Sequence, residues 1–259
     1  MDDMFMGDEI PKDFLIVGLN CLDIAMLDAS VTAEQVREVA ERAKNPGEGL
    51  RPAAGIAVLP EMVEVAAEAL ADSPVRVVCA TGGFPEGTLD VVRRQPLVKK
   101  ALRLGAQEID TVLNWRALMN DDEATAFEEI AALKKWMGDA KLKVIIESGK
   151  LESDELIRKA TEVAILAGAD FVKTSTGTVE PGATPEAAQV MMTVLSEHYA
   201  STGKMVGIKI SGGLSNPVQV VDYMSSLIGI LGFAWLSPAT FRLGASGLFE
   251  PLLERINAA

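Results

Sequence analysis

The chain has 259 residues, of which 49% are hydrophobic, and its 37 acidic against 24 basic side chains leave a formal charge of −13. The apolar content and the ordinary Gly, Pro and Cys counts exclude a disordered chain, a collagen-like chain and a disulfide scaffold. The negative charge disfavours a polyanion such as DNA as a partner, because the field of the protein repels it.

The predicted elements alternate between strand and helix along the chain. A short helix near residues 11–18, which we expect to close the bottom of the fold, comes first. Eight apolar runs then have the near-continuous character of buried parallel strands, and they are 19–23, 54–59, 75–80, 108–113, 142–147, 170–174, 205–210 and 240–244. Helical patterns follow them at 32–44, 61–71, 88–104, 122–137, 153–167, 184–200, 217–230 and 246–257. Thr32, Ser153 and Thr184 are predicted N-caps.

One strand and one helix in each of eight units of about 32 residues predict a single (β/α)8 TIM barrel over residues 1–259. The alternative is a doubly wound open sheet, but no G-x-G-x-x-G turn follows the first predicted strand. No linker rich in Pro, Gly or Ser divides the chain. One domain is therefore expected.

The sequence carries no pattern of export or membrane insertion. Residues 1–13 are acidic where a secretory signal needs positive charge. The uncharged stretch 223–241 is interrupted by Ser, Pro and Thr, and we interpret it as a buried helix followed by a buried strand. Cys21 and Cys79 lack the close spacing of a metal or redox pair. We expect a cytoplasmic protein without a membrane partner.

Two lysines lie where a barrel enzyme places its chemistry, towards the C-terminal ends of the strands. Lys173 in DFVKTSTG and Lys209 in MVGIKISGG each lie among apolar neighbours. A buried ammonium is unfavourable without partners, and two on neighbouring strands lower each other's pKa. The pair therefore predicts a neutral amine that attacks carbonyl groups. Lys143, by contrast, begins its strand and is interpreted as a solvated charge near the barrel bottom.

Three carboxylates accompany the lysines. Asp110 lies inside the fourth predicted strand, where it can pair with an interior lysine and relay protons, and the two roles are compatible. Asp23 and Glu147 end the first and fifth predicted strands. Each could orient a catalytic group, order a water or hold a helix N-terminus, and the sequence does not separate these roles.

Glycine turns follow the late strands. Gly212 and Gly213 come after the seventh, Gly244 with Ser246 after the eighth, and Gly177 after the sixth. Exposed backbone N–H groups at such turns bind anions, and barrels commonly hold phosphate in the loops after strands seven and eight. These turns therefore predict a phosphate site.

Other chemistries are disfavoured. One histidine and two scattered cysteines do not supply a zinc site, and His198 is predicted to lie on the surface of an outer helix. The sequence has neither a Walker motif nor a G-x-S-x-G elbow.

These motifs resemble the deoxyribose-phosphate aldolases, which are class I aldolases with a barrel fold. The similarity runs from about residue 19 to residue 248 and is most specific in KVIIESGKL, LIRKATEVAILAGADFVKTSTG, VGIKISGG and FRLGAS. The resemblance implies that Lys173 forms the Schiff base, that Lys209 lowers its pKa, and that Asp110 joins Lys209 and a water in proton transfer. It also implies that Asp23 lies near the reacting hydroxyl and that Thr174 belongs to the substrate site with the glycine turns.

The chain departs from similar enzymes around the expected phosphate. Thr178 and Ser215 stand where a lysine and an arginine are frequent, and Gly247 replaces a second serine. Backbone donors remain, but charge-assisted contacts are roughly twice as strong as neutral ones. The phosphate preference is therefore expected to be weaker than in relatives that keep both cations.

The resemblance implies reversible cleavage of 2-deoxy-D-ribose 5-phosphate to acetaldehyde and D-glyceraldehyde 3-phosphate, without a cofactor or a metal. It also implies aldehyde and sugar-phosphate substrates and a homo-oligomer. One alternative is the same lysine chemistry on unphosphorylated 2-deoxy sugars or simple aldehydes. The other is a sugar-phosphate-binding barrel without catalysis.

Overall fold

The computed structural model describes residues 10–259, which contain a closed barrel of eight parallel strands in chain order. The strands are Leu22–Met26 (β1), Gly55–Val58 (β2), Arg76–Ala80 (β3), Glu108–Val112 (β4), Lys141–Ile145 (β5), Phe171–Lys173 (β6), Gly207–Ser211 (β7) and Phe241–Ala245 (β8). The predicted (β/α)8 barrel is confirmed. Residues 1–9, to which part of the prediction about export refers, lie outside the described residues.

Helices connect the strands on the outside of the barrel. They are Lys12–Asn20 (α1), Ala33–Lys44 (α2), Val63–Ala69 (α3), Val91–Arg103 (α4), Trp115–Met119 (α5), Glu123–Lys134 (α6), Asp154–Leu166 (α7), Pro185–Thr202 (α8), Pro217–Leu231 (α9) and Phe249–Ala258 (α10). The side chains of Thr32, Ser153 and Thr184 each accept a hydrogen bond from a backbone N–H in the first turn, as predicted. The short α5 was not predicted.

The predicted bounds of the first strand were wrong by three residues. The prediction began at Leu19, but Leu19 is buried on α1 and β1 begins only at Leu22. Both elements bury leucines along this run, so the apolar pattern does not mark the boundary between them. The last helix begins at Phe249 rather than at residue 246, which leaves Ser246 in the turn after β8.

The N-terminal helix exists, but it does not close the barrel bottom. A Cβ on Gly18 of α1 would meet Val220 of α9 and Leu252 of α10, so the helix packs against the last two helices of the outer layer. The N-terminal end of the barrel instead opens into a lower cavity of about 810 Å³, which Asn20, Arg51, Arg76, Glu108 and Arg242 help to line.

The uncharged stretch 223–241 has the predicted order of helix and strand, but it is not buried throughout, since Phe233 is exposed. It comprises the second part of α9, a short 3-10 turn and the first residue of β8. Within residues 10–259, no helix combines the length and the apolar character that crossing a bilayer requires.

Candidate active site

The two predicted lysines lie side by side inside the barrel. β6 and β7 pair in parallel with Lys173 opposite Lys209, so both side chains point inward at the same level. Both are buried, as is Asp110 on β4. The barrel interior therefore holds charged groups where most barrels of this size pack aliphatic side chains.

Asp110 joins the two lysines. Its Oδ2 accepts hydrogen bonds from Lys173 Nζ and from Lys209 Nζ, each at 2.9 Å. Lys209 Nζ also donates to Asp23 Oδ2 at 2.6 Å. The structure thus brings together all four side chains that the sequence assigned to catalysis or to the reacting hydroxyl.

Lys143 corrects one prediction. It is completely buried rather than solvated, although its strand begins only two residues earlier with the half-exposed Lys141. Its Nζ donates to Asp110 Oδ1 at 3.2 Å and forms an ion pair with Glu108. The side-chain period of a strand is two residues, so Lys141 and Lys143 share the inward face, and their height along the barrel decides which one reaches water.

Sequence reasoning missed two further members of this network, Glu108 and Arg242. Arg242 donates to Glu108 Oε1 at 2.9 Å and also donates to Asp23 Oδ1. The period of two residues could have identified both, because Glu108 precedes Asp110 by two positions and Arg242 precedes Gly244 by two.

The pKa of Lys173 is lowered to about 8. Burial is the largest cause, Asp110 opposes it, and the nearby charge of Lys209 adds to the lowering. Asp110 behaves in the opposite sense: burial would raise its pKa, but Lys143, Lys173 and Lys209 together hold it well below its usual range. The site therefore offers a buried amine that loses its proton near neutral pH beside a carboxylate that stays ionised.

An upper cavity of about 520 Å³ opens above the lysines at the C-terminal ends of the strands. The residues that line it include Lys173, Lys209, Gly177, Gly212, Gly213, Gly244 and Ser246. Its volume suits a small organic substrate. The lower cavity is larger, but the upper one contains the amines, and we take it as the candidate active site.

Close backbone approach explains two of the glycines. A Cβ on Gly244 would lie 2.9 Å from Lys209 Cε, so glycine makes room for that side chain. A Cβ on Gly182 would lie 2.6 Å from the carbonyl carbon of Gly212, where the loops after β6 and β7 touch. Ala183 N donates to Gly212 O at 3.0 Å at the same contact. These contacts hold the two loops together beside the upper cavity. We call the part of the cavity lining formed by Gly177, Gly212, Gly213, Gly244 and Ser246 the glycine cup.

Thr174 and Ser215 lie outside the lining of the upper cavity. The Thr174 hydroxyl donates to Ser211 O and accepts from Ser211 N, which ties the end of β6 to β7. Ser215 N donates to Gln219 Oε1 ahead of α9. Thr178 does line the cavity, with its hydroxyl 2.9 Å from that of Thr176. Thr178 and Ser215 stand where similar enzymes frequently have a cation, and of these two residues Thr178 alone lines the upper cavity.

Glu147 supports the loop that follows Lys173. It adopts a left-handed backbone conformation, with φ 52°, and is buried. Its carboxylate accepts from Thr176 N at 3.1 Å and from Thr176 Oγ1 at 2.7 Å. Glu147 therefore orients the loop that carries Thr176 and Gly177, a role that the sequence did not suggest.

Residue types that commonly bind metal ions do not form a cluster in the described part of the chain. His198 is on α8, outside the lining of the upper cavity. Within the described part of the chain, no group of three or more His, Cys, Asp and Glu side chains could hold a metal ion.

The chain is similar to a family of aldolases and to several solved structures. The model of the DeoC/LacD family of aldolases matches residues 20–226. A candidate deoxyribose-phosphate aldolase from Coccidioides immitis is 30% identical, with a TM-score of 0.77 over 94% of this chain and 86% of that one. One from Toxoplasma gondii ME49 is 26% identical, with a TM-score of 0.84 over 95% and 94%. The tetrameric deoxyribose phosphate aldolase from Aeropyrum pernix, at 22% identity and a TM-score of 0.73 over 96% and 99%, shares the fold.

Proposed function

The chain belongs to the DeoC/LacD family of aldolases, and from this premise we propose that it cleaves 2-deoxy-D-ribose 5-phosphate reversibly through a Schiff base on Lys173. Family membership confirms the resemblance found in the sequence and the prediction of an aldolase. The products of the proposed reaction are acetaldehyde and D-glyceraldehyde 3-phosphate.

The observation that carries the proposal is the state of Lys173. Its amine is buried at the base of the upper cavity, has a pKa lowered to about 8, and has Asp110 as its carboxylate partner. A neutral amine adds to an aldehyde, and loss of water then leaves an iminium. A buried amine in a cleft, with a lowered pKa and a specific charge partner, marks a candidate functional site.

The iminium then accepts the electron pair of the C2–C3 bond as that bond breaks. A base removes the proton of the C3 hydroxyl, the C2–C3 bond breaks, and its electron pair moves to the iminium to form an enamine. A water held by Asp110 and Lys209 gives a proton to C2 and takes one back through the same relay, and hydrolysis of the resulting iminium releases acetaldehyde and the Lys173 amine. Asp23, bonded to Lys209, is proposed to lie near the reacting hydroxyl.

The glycine cup is proposed to hold the phosphate. Gly177, Gly212, Gly213, Gly244 and Ser246 line one side of the cavity that contains Lys173. Backbone N–H groups of such turns bind anions without a cation. The phosphate preference is nevertheless proposed to be modest, because the described lining has no cationic side chain besides Lys173 and Lys209.

Borohydride trapping tests the chemistry. Acetaldehyde with borohydride is expected to attach an ethyl group irreversibly to Lys173, located by peptide mass spectrometry. Lys204, an exposed lysine, provides the matched control: Lys204→Leu should be labelled like the wild type, and Lys173→Leu should not be labelled in the site. Labelling at Lys209 alone, or at no lysine, rejects the assignment.

Two alternatives are separated by substrate measurements. If the cup contributes nothing, kcat/KM is equal for 2-deoxyribose 5-phosphate and 2-deoxyribose, and the activity is a general 2-deoxy sugar or aldehyde aldolase. If the barrel only binds sugar phosphates, no acetaldehyde forms. Acetaldehyde production that is lost in Lys173→Leu, with an unchanged circular dichroism spectrum, excludes that binding function.

A homo-oligomer and a cytoplasmic location remain proposals from the sequence. The name of the relative from Aeropyrum pernix describes a tetramer, which supports self-association as the proposal to test first. Light scattering of the purified chain measures it directly, and a monomer at micromolar concentration would contradict it.

A further inference from the structure

The charged network inside the barrel joins the two cavities. Lys173 and Lys209 line the upper cavity, and Glu108 and Arg242 line the lower one. Asp23 connects them, since it accepts hydrogen bonds from Lys209 and from Arg242. The charge at the lower end is therefore linked by direct contacts to the candidate nucleophile.

Among residues 10–259, the ion pairs of this network contain one more cation than carboxylate. The carboxylates are Asp23, Glu108 and Asp110, and the cations are Lys143, Lys173, Lys209 and Arg242. All are buried. A buried charge without a partner of opposite sign is unfavourable in an interior of low dielectric, so the loss of one proton from the network is favoured.

Other titratable groups near the network do not change this balance. Burial raises the pKa of the Cys21 and Cys79 thiols to about 12, which keeps them neutral. Glu147 bonds to Thr176 and has no cation within ion-pair distance among the described residues. Asp28, in the lining of the upper cavity, is exposed and bonds to Ser30.

Geometry selects the amine that loses the proton. Lys143 reaches Asp23, Glu108 and Asp110, and Lys209 reaches Asp23 and Asp110.

Within the described chain, Lys173 has Asp110 as its sole carboxylate partner. A guanidinium does not deprotonate in proteins, and Asp23 and Glu108 hold Arg242 from both sides. Arg242 therefore cannot relieve the excess charge itself.

We propose that Arg242 is a positioning residue whose permanent positive charge is balanced by Asp23 and Glu108 at the lower end of the network. Because these two carboxylates are then not free to balance a further cation, Lys173 is left as the neutral amine. The inference rests on the proposed function, since it explains why the nucleophile is free to attack. It assigns the lower end of the barrel a part in a reaction at the upper end.

Charge variants test the proposal through the titration of Lys173. The readout is the rate of Lys173 acetylation by trace acetic anhydride between pH 6 and 11, measured by peptide mass spectrometry. Arg242→Met should move the midpoint up by about one pH unit, and Glu108→Gln should move it down by about one, as expected for one charge several Å away at an effective dielectric near 20. The double variant restores the balance, so its midpoint should return to the wild-type value.

A purely structural role gives a different pattern. The double variant would then be at least as perturbed as either single variant. Arg242→Lys keeps the charge and should keep the midpoint, whereas Arg51→Met, at an exposed position in the lower cavity, is the matched control and should not move it. An unmoved midpoint in Arg242→Met overturns the proposal. If that variant does not fold, an unmoved or raised midpoint in Glu108→Gln overturns it.

Acetylation needs no aldolase activity, so the two proposals fail separately. Absent borohydride trapping with the predicted midpoint shifts rejects the Schiff base and supports the charge balance. Normal trapping at Lys173 with an unmoved midpoint in every variant leaves the proposed function standing and rejects the role of Arg242.

Discussion

Replacement of Lys209 by Leu removes one charge next to the proposed nucleophile. The Lys173 and Lys209 amines bond to the same oxygen of Asp110, each at 2.9 Å. The two nitrogens are therefore no more than about 6 Å apart, and at that separation two ammonium groups repel by about 3 kcal/mol at an effective dielectric near 20, or about two pKa units. Burial of Lys173 persists in the variant and is the largest cause of its lowered pKa.

We therefore expect Lys209→Leu to raise the pKa of Lys173 from about 8 by about one unit or more. At pH 7 the neutral fraction of the amine should fall from about one tenth to about one hundredth or less. The direction of this pKa shift tests the electrostatic effect of Lys209, because burial lowers the pKa of Lys173 whether or not a charged neighbour is present.

The assay is the initial rate of borohydride-trapped ethyl adduct at Lys173 across pH 6 to 10. Lys204→Leu makes the same charge change on the surface and should reproduce the wild-type midpoint. Circular dichroism must show that Lys209→Leu is folded, since breaking a buried ion pair costs about 3–5 kcal/mol. A midpoint that stays at the wild-type value or falls would refute the electrostatic reasoning and leave burial as the sole cause.

Three further predictions concern specificity, packing and stability. Thr178→Lys should raise the kcat/KM preference for the phosphorylated substrate by about tenfold and make it salt-sensitive, and Ser215→Arg should raise it less because that residue lies outside the cavity lining; equal or absent effects would place the phosphate elsewhere. Gly244→Ala should displace Lys209, slow borohydride trapping and lower the free energy of unfolding by about 1–3 kcal/mol, whereas Gly229→Ala, with open space around its Cβ, should do neither. Asp170 bonds to Lys134, Lys141 and Leu142 N, which together lower its pKa against the effect of burial. Asp170→Asn should therefore cost about 1–2 kcal/mol in urea unfolding at pH 7. This cost should decrease as the pH falls from the ordinary aspartate pKa through the lowered one, so a cost that stays constant below the ordinary pKa would contradict the reasoning.

Local patterns in the sequence determined the barrel and most of the site. Eight near-continuous apolar runs, each followed by an amphipathic helix, are compatible with few architectures, because parallel strands need crossover connections and cover on both faces. Lys173, Lys209 and Asp110 were identifiable because a charge inside an apolar strand is costly unless it has partners or a function. The glycines after β6 and β7 pointed to the cup for a similar reason, since each marks a turn that another residue type fits poorly. Gly244, which we predicted in the turn after the eighth strand, lies inside β8 instead.

Only the tertiary structure decided which charges meet and where they lie along the barrel axis. Lys143 lies only two residues after Lys141 on the same strand face, yet one is buried among carboxylates and the other is half exposed. Glu108 and Arg242 are more than a hundred residues apart and form a buried ion pair through the barrel interior. A period of two residues gives the face of a strand, whereas depth and partners depend on how eight strands are staggered when the barrel closes, and that stagger is a property of the whole chain.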